Sequence, residues 1–271
     1  MIRQILSLIF ISALFLGFTS KPLPTNSSYG VFVGASPSSI DKFYDFDKII
    51  IDAQYYDKKH IESLHNNNVK VYSYLNIGSV ENFRSYYNKL VDITLSDYEN
   101  WPEERWLDLS SEMGRDYLVD VVAKDLFDKG IDGFFLDNVD VYYIYNNVET
   151  YEGILDILTR LKENYNLSII VNGGFEFFQT SIDNNLNIST LVDGINHESV
   201  FTKIDFDNNR LVRNTRTERL YLLEYFKQFK KHNIQIYVIE YTKSKHLSNK
   251  IAYYYNKIGY EYYITNDISL E

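Results

Sequence analysis

The sequence has no cysteine, and its 271 residues include only 4 prolines, 2 methionines and 2 tryptophans. Without cysteine there is no disulfide, no thiolate metal site and no thiol nucleophile. The 5 histidines are scattered. His60, His65, His232 and His246 fall on or near polar helical segments, and their spacing forms no metal-ligand motif. Ser110-Ser111 lacks the Gly-x-Ser-x-Gly pattern of a nucleophile elbow. No Pro/Gly/Ser-rich linker, internal repeat or long charge block divides the chain, so one domain is the simplest count. The formal net charge of −10 argues against a nucleic-acid surface and suits a cationic or neutral ligand, although solubility alone also accounts for it.

Residues 1 to 20 carry Arg3 as their only charge, with an apolar run from Ile5 to Phe18, and Lys21-Pro22-Leu23-Pro24 follows. This pattern predicts a secretory signal peptide over residues 1–24, and hence a secreted, cell-surface or periplasmic protein. The run is shorter than the roughly 20 residues of a membrane span, and an uncleaved N-terminal anchor is the one membrane contact left as an alternative. The remaining residues, 25–271, are close to the roughly 250 of a single (β/α)8 barrel. A monomer is the expected state.

Against these absences stand 25 tyrosines and 17 phenylalanines. Aromatic faces suit sugar stacking, but the abundant Asn, Ile and Lys point to a compositional bias that would supply tyrosines anyway. Short β-rich runs alternate with helical patterns, which predicts repeated βα units and a parallel sheet of α/β class. The predicted strands are Gly30 to Gly34, Lys48 to Ala53, Lys70 to Leu75, Gly133 to Leu136, Ser168 to Asn172, Val192 to Asn196, Gln235 to Glu240 and Glu261 to Thr265. The clearest helix runs from Gly114 to Lys129, with Tyr117, Leu118, Val121, Val122 and Leu126 on one face and Gly130 as its stop. Weaker helical patterns cover Glu149 to Asn164, Thr215 to Lys231 and Lys245 to Ile258. A long connection from about Asn76 to Gly114 holds Trp106 and Asp108. Two readings stay open there: the indole stacks a sugar and the carboxylate binds hydroxyls, or Trp106 plugs the barrel mouth and Asp108 caps a helix.

The most informative stretch is Gly130-Ile-Asp-Gly-Phe-Phe-Leu-Asp137-Asn138-Val-Asp140. An apolar run suited to a strand covered on both faces ends in three polar groups, as at the catalytic end of a barrel strand. A helix cap would need one of them, not all three. The same stretch is not a calcium loop, because Tyr142 and Val148 stand where Gly and Glu are required.

Other predicted strands also end in polar groups, at Asp52, Asn76, Asn172, Glu198 and Glu240. A ring of carboxylates without a metal-binding histidine pair suits glycoside hydrolysis, in which one acid protonates the leaving oxygen and a second carboxylate attacks or activates water. Asp137 fits the charged partner and Glu198 the proton donor, with a solvated loop glutamate as the alternative for Glu198. No cofactor or metal is implied.

Tyr74-Leu-Asn-Ile-Gly78-Ser-Val-Glu81-Asn-Phe-Arg84, Trp106-Leu-Asp108, the Asp137 motif and Val238-Ile-Glu240-Tyr241 together resemble glycoside hydrolase family 114, the endo-alpha-1,4-polygalactosaminidases. The resemblance covers nearly all of the mature chain. It implies a (β/α)8 TIM barrel that cleaves alpha-1,4 links in galactosamine-containing exopolysaccharide, with Asp137 and Glu198 as the catalytic pair; retention of anomeric configuration is expected, with inversion as the alternative that the separation of the two carboxyls would decide. Asp52, Tyr74, Glu81, Arg84, Asp108, Asn138, Asp140, Asn172, Glu240 and Tyr241 match positions that line or support the sugar site. A de-N-acetylated galactosamine polymer is cationic, so Asp52, Asp108 or Glu240 is expected to pair with a substrate ammonium. Asn76 and Ser79 depart from the Ser and Glu common in relatives, and contacts from this loop are expected to differ. Asp193 and Asp205 are the nearest substitutes for Glu198. The competing readings are a non-catalytic carbohydrate-binding barrel or surface protein, and a glycosidase for another alpha-linked polysaccharide.

Overall fold

The structure, a computed structural model, describes residues 28–99, 101–206 and 208–271. The predicted signal segment, residues 1–24, lies outside the described residues. Eight parallel strands follow one another in chain order in one sheet, the topology of a (β/α)8 barrel. They are β1 (Tyr29–Phe32), β2 (Lys48–Ile51), β3 (Lys70–Asn76), β4 (Gly133–Asp137), β5 (Ser168–Asn172), β6 (Gly194–Glu198), β7 (Gln235–Tyr241) and β8 (Glu261–Thr265). Each predicted strand is present; β6 begins two residues later than its pattern suggested and runs on through Glu198. Among the described residues no helix is long and apolar enough to cross a membrane.

The chain divides into two compact units. One comprises Ser73–Asp193. Here β4 pairs in parallel with β5, Phe134 opposite Ile169 and Leu136 opposite Val171. Phe134, Phe135 and Leu136 are all fully buried, as a strand covered on both faces requires. The long connection after β3 folds into a three-stranded antiparallel sheet of Ser79–Glu81, Thr94–Tyr98 and Trp101–Leu107. Its strands are short and carry charged residues, so their alternation was not legible as strand.

The helical stretch Glu112–Lys129 corrects one expectation. Val121 is 48% exposed, whereas Val119, absent from the predicted face, is fully buried. The cause is a π-helical segment over Tyr117–Ala123. Its wider turn rotates the apolar face relative to a regular helix. The helix Val148–Tyr165 follows the 3.6-residue pattern, with Asn147 accepting from the Thr150 N–H at 2.8 Å as its N-cap.

The other unit comprises residues 28–72 with Gly194–Glu271. Its strand β7 pairs in parallel with β6 on one side and β8 on the other, and β1 pairs in parallel with β2. Phe32 of β1 meets Tyr263 of β8 with ring centroids 5.3 Å apart. The helix Arg216–Lys231 opens on a capping box between Thr215 and Glu218. After β6 the chain forms an antiparallel hairpin of Thr202–Asp205 and Arg210–Arg213, which the sequence patterns did not reveal.

Candidate active site

Asp137 is the last residue of β4 and is 5% exposed. Burial pushes its carboxyl up to about 6, and three donors hold it back: the Asn172 amide, the Asn138 backbone N–H and the Tyr74 hydroxyl. Asn172 ends the neighbouring strand β5 and donates its Nδ2 to Asp137 Oδ1 at 3.0 Å. Two adjacent strand ends thus supply a carboxylate and its amide partner. Asp140 accepts from the Gly174 N–H at 3.1 Å, where the helix Phe175–Asp183 begins. Burial, then the charge of Asp137, raises the Asp140 carboxyl to about 7.

In the same unit, the connection after β3 contributes a buried ion pair. Arg84 forks onto Glu81, with Nε to Oε2 at 3.1 Å and Nη2 to Oε1 at 2.8 Å. Glu81 is 1% exposed. The Tyr74 hydroxyl lies 3.4 Å from Glu81 Oε1 as well as on Asp137, so it links the ion pair to the strand-four carboxylate. Asn138 adopts a left-handed φ of 61° and donates its side-chain amide to Ser79 Oγ at 2.9 Å. Asn is one of the few residues to hold that conformation cheaply.

Asp108 accepts from the backbone N–H of Ser110 at 3.0 Å and from its hydroxyl at 2.6 Å. It builds the turn before the helix Glu112–Asp116, while Ser111 is the N-cap. Trp106 is 3% exposed and stacks on Tyr98 with centroids 4.2 Å apart. Its ring packs within the small antiparallel sheet, so of the two readings left open its burial accords with packing more than with a sugar platform.

In the other unit, Glu198 ends β6 and its Oε2 accepts from the Tyr241 hydroxyl at 2.8 Å. Ser199 turns away with φ 65°, its N–H bonded to Ile239 O at 2.8 Å. Glu240 is fully buried and accepts from the backbone N–H groups of Phe201 and Thr202, the Thr202 hydroxyl and the Tyr255 hydroxyl, at 2.5 to 2.9 Å. It fastens the chain that leaves Glu198. Asp52 is buried at the start of a 3-10 turn and accepts from the Gln54 N–H at 3.2 Å. Of the three carboxylates expected to meet a substrate ammonium, Asp108 alone keeps partial exposure.

The sequence profile of glycoside-hydrolase family GH114 matches residues 20–270. The chain belongs to that family. That family is one of glycoside hydrolases. A comparison with curated proteins gave no sequence match. The glycoside hydrolase domain of PelA from Pseudomonas aeruginosa is similar in structure, with a TM-score of 0.77 at 16% identity over 92% of this chain and 97% of that one. The Aspergillus fumigatus Ega3 complex with galactosamine is similar at a TM-score of 0.67 and 21% identity, over 94% of this chain and 96% of that one.

Within this GH114 chain, the unit Ser73–Asp193 brings together Tyr74, Glu81, Arg84, Asn138, Asp140 and Asn172 around Asp137. Glu198, Tyr241 and Glu240 form a second connected set. Of the substitutes for Glu198, Asp193 accepts from the Ile169 N–H and pairs with Lys162, while Asp205 is bound to Asn208 and Arg210. Sequence reasoning missed Glu104, which is 3% exposed and accepts from the Ser79 hydroxyl at 2.6 Å. Its only signal was an acidic residue one position before Arg105-Trp106 in a segment read as loop.

Proposed function

We propose that this GH114 protein is an exported, endo-acting hydrolase of alpha-1,4-linked galactosamine polymers, with Asp137 as nucleophile and Glu198 as acid/base. The observation that carries the reading is Asp137 itself, a buried carboxylate at the end of an apolar barrel strand, held by Asn172, Tyr74 and the Asn138 N–H. These donors favour its ionised form and fix its direction, as attack on an anomeric carbon requires. Glu198 protonates the departing glycosidic oxygen. The resulting glycosyl ester on Asp137 is released by a water that Glu198 deprotonates, so the product retains its configuration. Tyr241 holds Glu198 for both transfers.

The substrate assignment draws support from family membership and from the galactosamine-bound relative. A cationic polymer also complements a chain of net charge −10. The leader, residues 1–24, directs export. The test is reducing-end release from partially deacetylated alpha-1,4-galactosaminogalactan by wild type, Asp137→Asn and Glu198→Gln. Release by wild type and its loss in both variants is expected. Binding without release by wild type would replace this reading with a carbohydrate-binding barrel, and release from a different alpha-glycan alone would reassign the substrate. Product anomers read by NMR at early times decide between retention and inversion.

A further inference from the structure

Glu104 lies on the strand Trp101–Leu107, directly opposite Glu81 in the antiparallel ladder. Like charges facing each other in a ladder repel. Arg84 forks onto Glu81, whereas Glu104 receives the Ser79 hydroxyl. Burial, then the charge of Glu81, pushes the Glu104 carboxyl up to about 8, with the Ser79 hydrogen bond and Arg84 opposing and Asp137 adding to the push. The buried Tyr74 hydroxyl also feels this charge.

The hydrogen-bond count around Ser79 explains its use. A serine hydroxyl has one proton to give and two lone pairs to fill. The amides of Asn76 and Asn138 donate to Ser79 Oγ at 2.7 and 2.9 Å, which leaves the Ser79 proton for Glu104 Oε2 at 2.6 Å. The Asn138 amide also reaches Glu104 Oε2 at 3.4 Å. Anchored in this way, Asn138 keeps its left-handed backbone and directs its own N–H to the Asp137 carboxylate. The path from Glu104 to Asp137 is a chain of hydrogen bonds within one compact unit.

We propose that Glu104 is a positioning residue for Asp137, acting through Ser79 and the side chain of Asn138. The inference rests on the reading of Asp137 as nucleophile. What Glu104 supplies is an acceptor oxygen for the Ser79 hydroxyl and the Asn138 amide, so glutamine, which keeps such an oxygen, substitutes for it and leucine does not.

The test compares wild type, Glu104→Gln, Glu104→Leu and Ser79→Ala as full chains, each checked for folding by circular dichroism and melting. On galactosamine oligomers, kcat of Glu104→Leu and Ser79→Ala falls by about a hundredfold with KM little changed, and Glu104→Gln stays within about threefold of wild type. A second readout is independent of turnover: the titration of Asp137 by NMR of carboxyl-labelled aspartate. Loss of the Asn138 N–H moves the Asp137 midpoint upward in Glu104→Leu and leaves it in place in Glu104→Gln. Unchanged kcat in Glu104→Leu, equal losses in Gln and Leu, or an unmoved Asp137 midpoint would each overturn the proposal. If wild type hydrolyses no galactosamine oligomer, the functional reading fails separately, and the Asp137 titration alone decides the role of Glu104.

Discussion

The Tyr241 hydroxyl donates to Glu198 Oε2 at 2.8 Å from a ring that is itself buried. The register explains the meeting, because Glu198 lies opposite Ile239 and Tyr241 is two residues further along β7, on the same face. Tyr241→Phe deletes one hydrogen bond and keeps the ring. Its expected effect is a fall in kcat of about tenfold, equivalent to about 1.4 kcal/mol, the scale of one hydrogen bond to a charged group. Steady-state kinetics check this, and a variant with wild-type kcat would remove Tyr241 from the orientation of Glu198.

Asp137 must be ionised to attack, and its carboxyl is raised to about 6. The kcat/KM profile is therefore expected to rise through an acid limb near pH 6, which reports the free enzyme. Asn172 lowers that carboxyl through its hydrogen bond. In Asn172→Ala the limb moves to higher pH. A limb near pH 4 in wild type, or a limb unmoved by Asn172→Ala, would count against Asp137 as the group that titrates.

The same burial has a consequence for stability. Asp140 is raised to about 7 and Glu104 to about 8, both above their values in an unfolded chain. A carboxyl raised in the folded state stabilises below its unfolded pKa, and that contribution is lost as pH rises through the folded value. Melting temperature is expected to fall from about pH 4 to pH 8 on account of these groups, by an amount worth on the order of a few kcal/mol. Glu104→Gln flattens the upper part of this window. Thermal unfolding across pH 4 to 9 measures it; a wild type and a Glu104→Gln protein with parallel curves would show that Glu104 is not the group responsible.

The strands of the barrel were legible because buried parallel strands need continuous apolar runs, and Ile49-Ile50-Ile51 and Phe134-Phe135-Leu136 have few other uses. The polar residues at their ends marked Asp137, Asn172 and Glu198 for the same reason. What escaped notice was the antiparallel sheet after β3. Its strands are short, and Glu81 and Glu104 are charged residues at buried positions, which inverts the usual pattern. Glu104 becomes visible only when the pairing with Glu81 is known. Val121 illustrates a second limit, since a π-helical segment changes which residues face inward without a local signal in composition.

Glu240 shows how a site match and a structural role coincide. Its two oxygens accept from Phe201, Thr202 and Tyr255, so a hydrophobic replacement leaves two backbone N–H groups and two hydroxyls buried without an acceptor. Glu240→Leu is expected to lose about 3 kcal/mol or more of stability, and Glu240→Gln markedly less. Urea titration of the two variants tests the order. Equal losses would mean that volume, and not the acceptor oxygens, holds the segment after Glu198.

Gly173 and Gly130 separate backbone strain from collision. Both hold left-handed conformations, with φ of 71° and 95°. A Cβ on Gly130 would meet nothing within 4 Å, whereas one on Gly173 would lie 2.2 Å from Asp140 Oδ2. Each alanine therefore bears the left-handed cost of roughly 1 to 2 kcal/mol, and only the one at residue 173 must also displace the Asp140 carboxylate. Asp140 is bonded to the Gly174 N–H at the start of the next helix and sits within the electrostatic reach of Asp137. Gly130→Ala is expected to cost about 1 kcal/mol of stability and leave turnover near wild type. Gly173→Ala is expected to cost more and to lower kcat as well, because the displaced carboxylate changes the field at Asp137. Denaturant unfolding and kinetics on the same two preparations give both numbers. Equal stability losses with equal kcat would mean that the loop after β5 relaxes around the new methyl group and that the position of Asp140 is not set by the glycine.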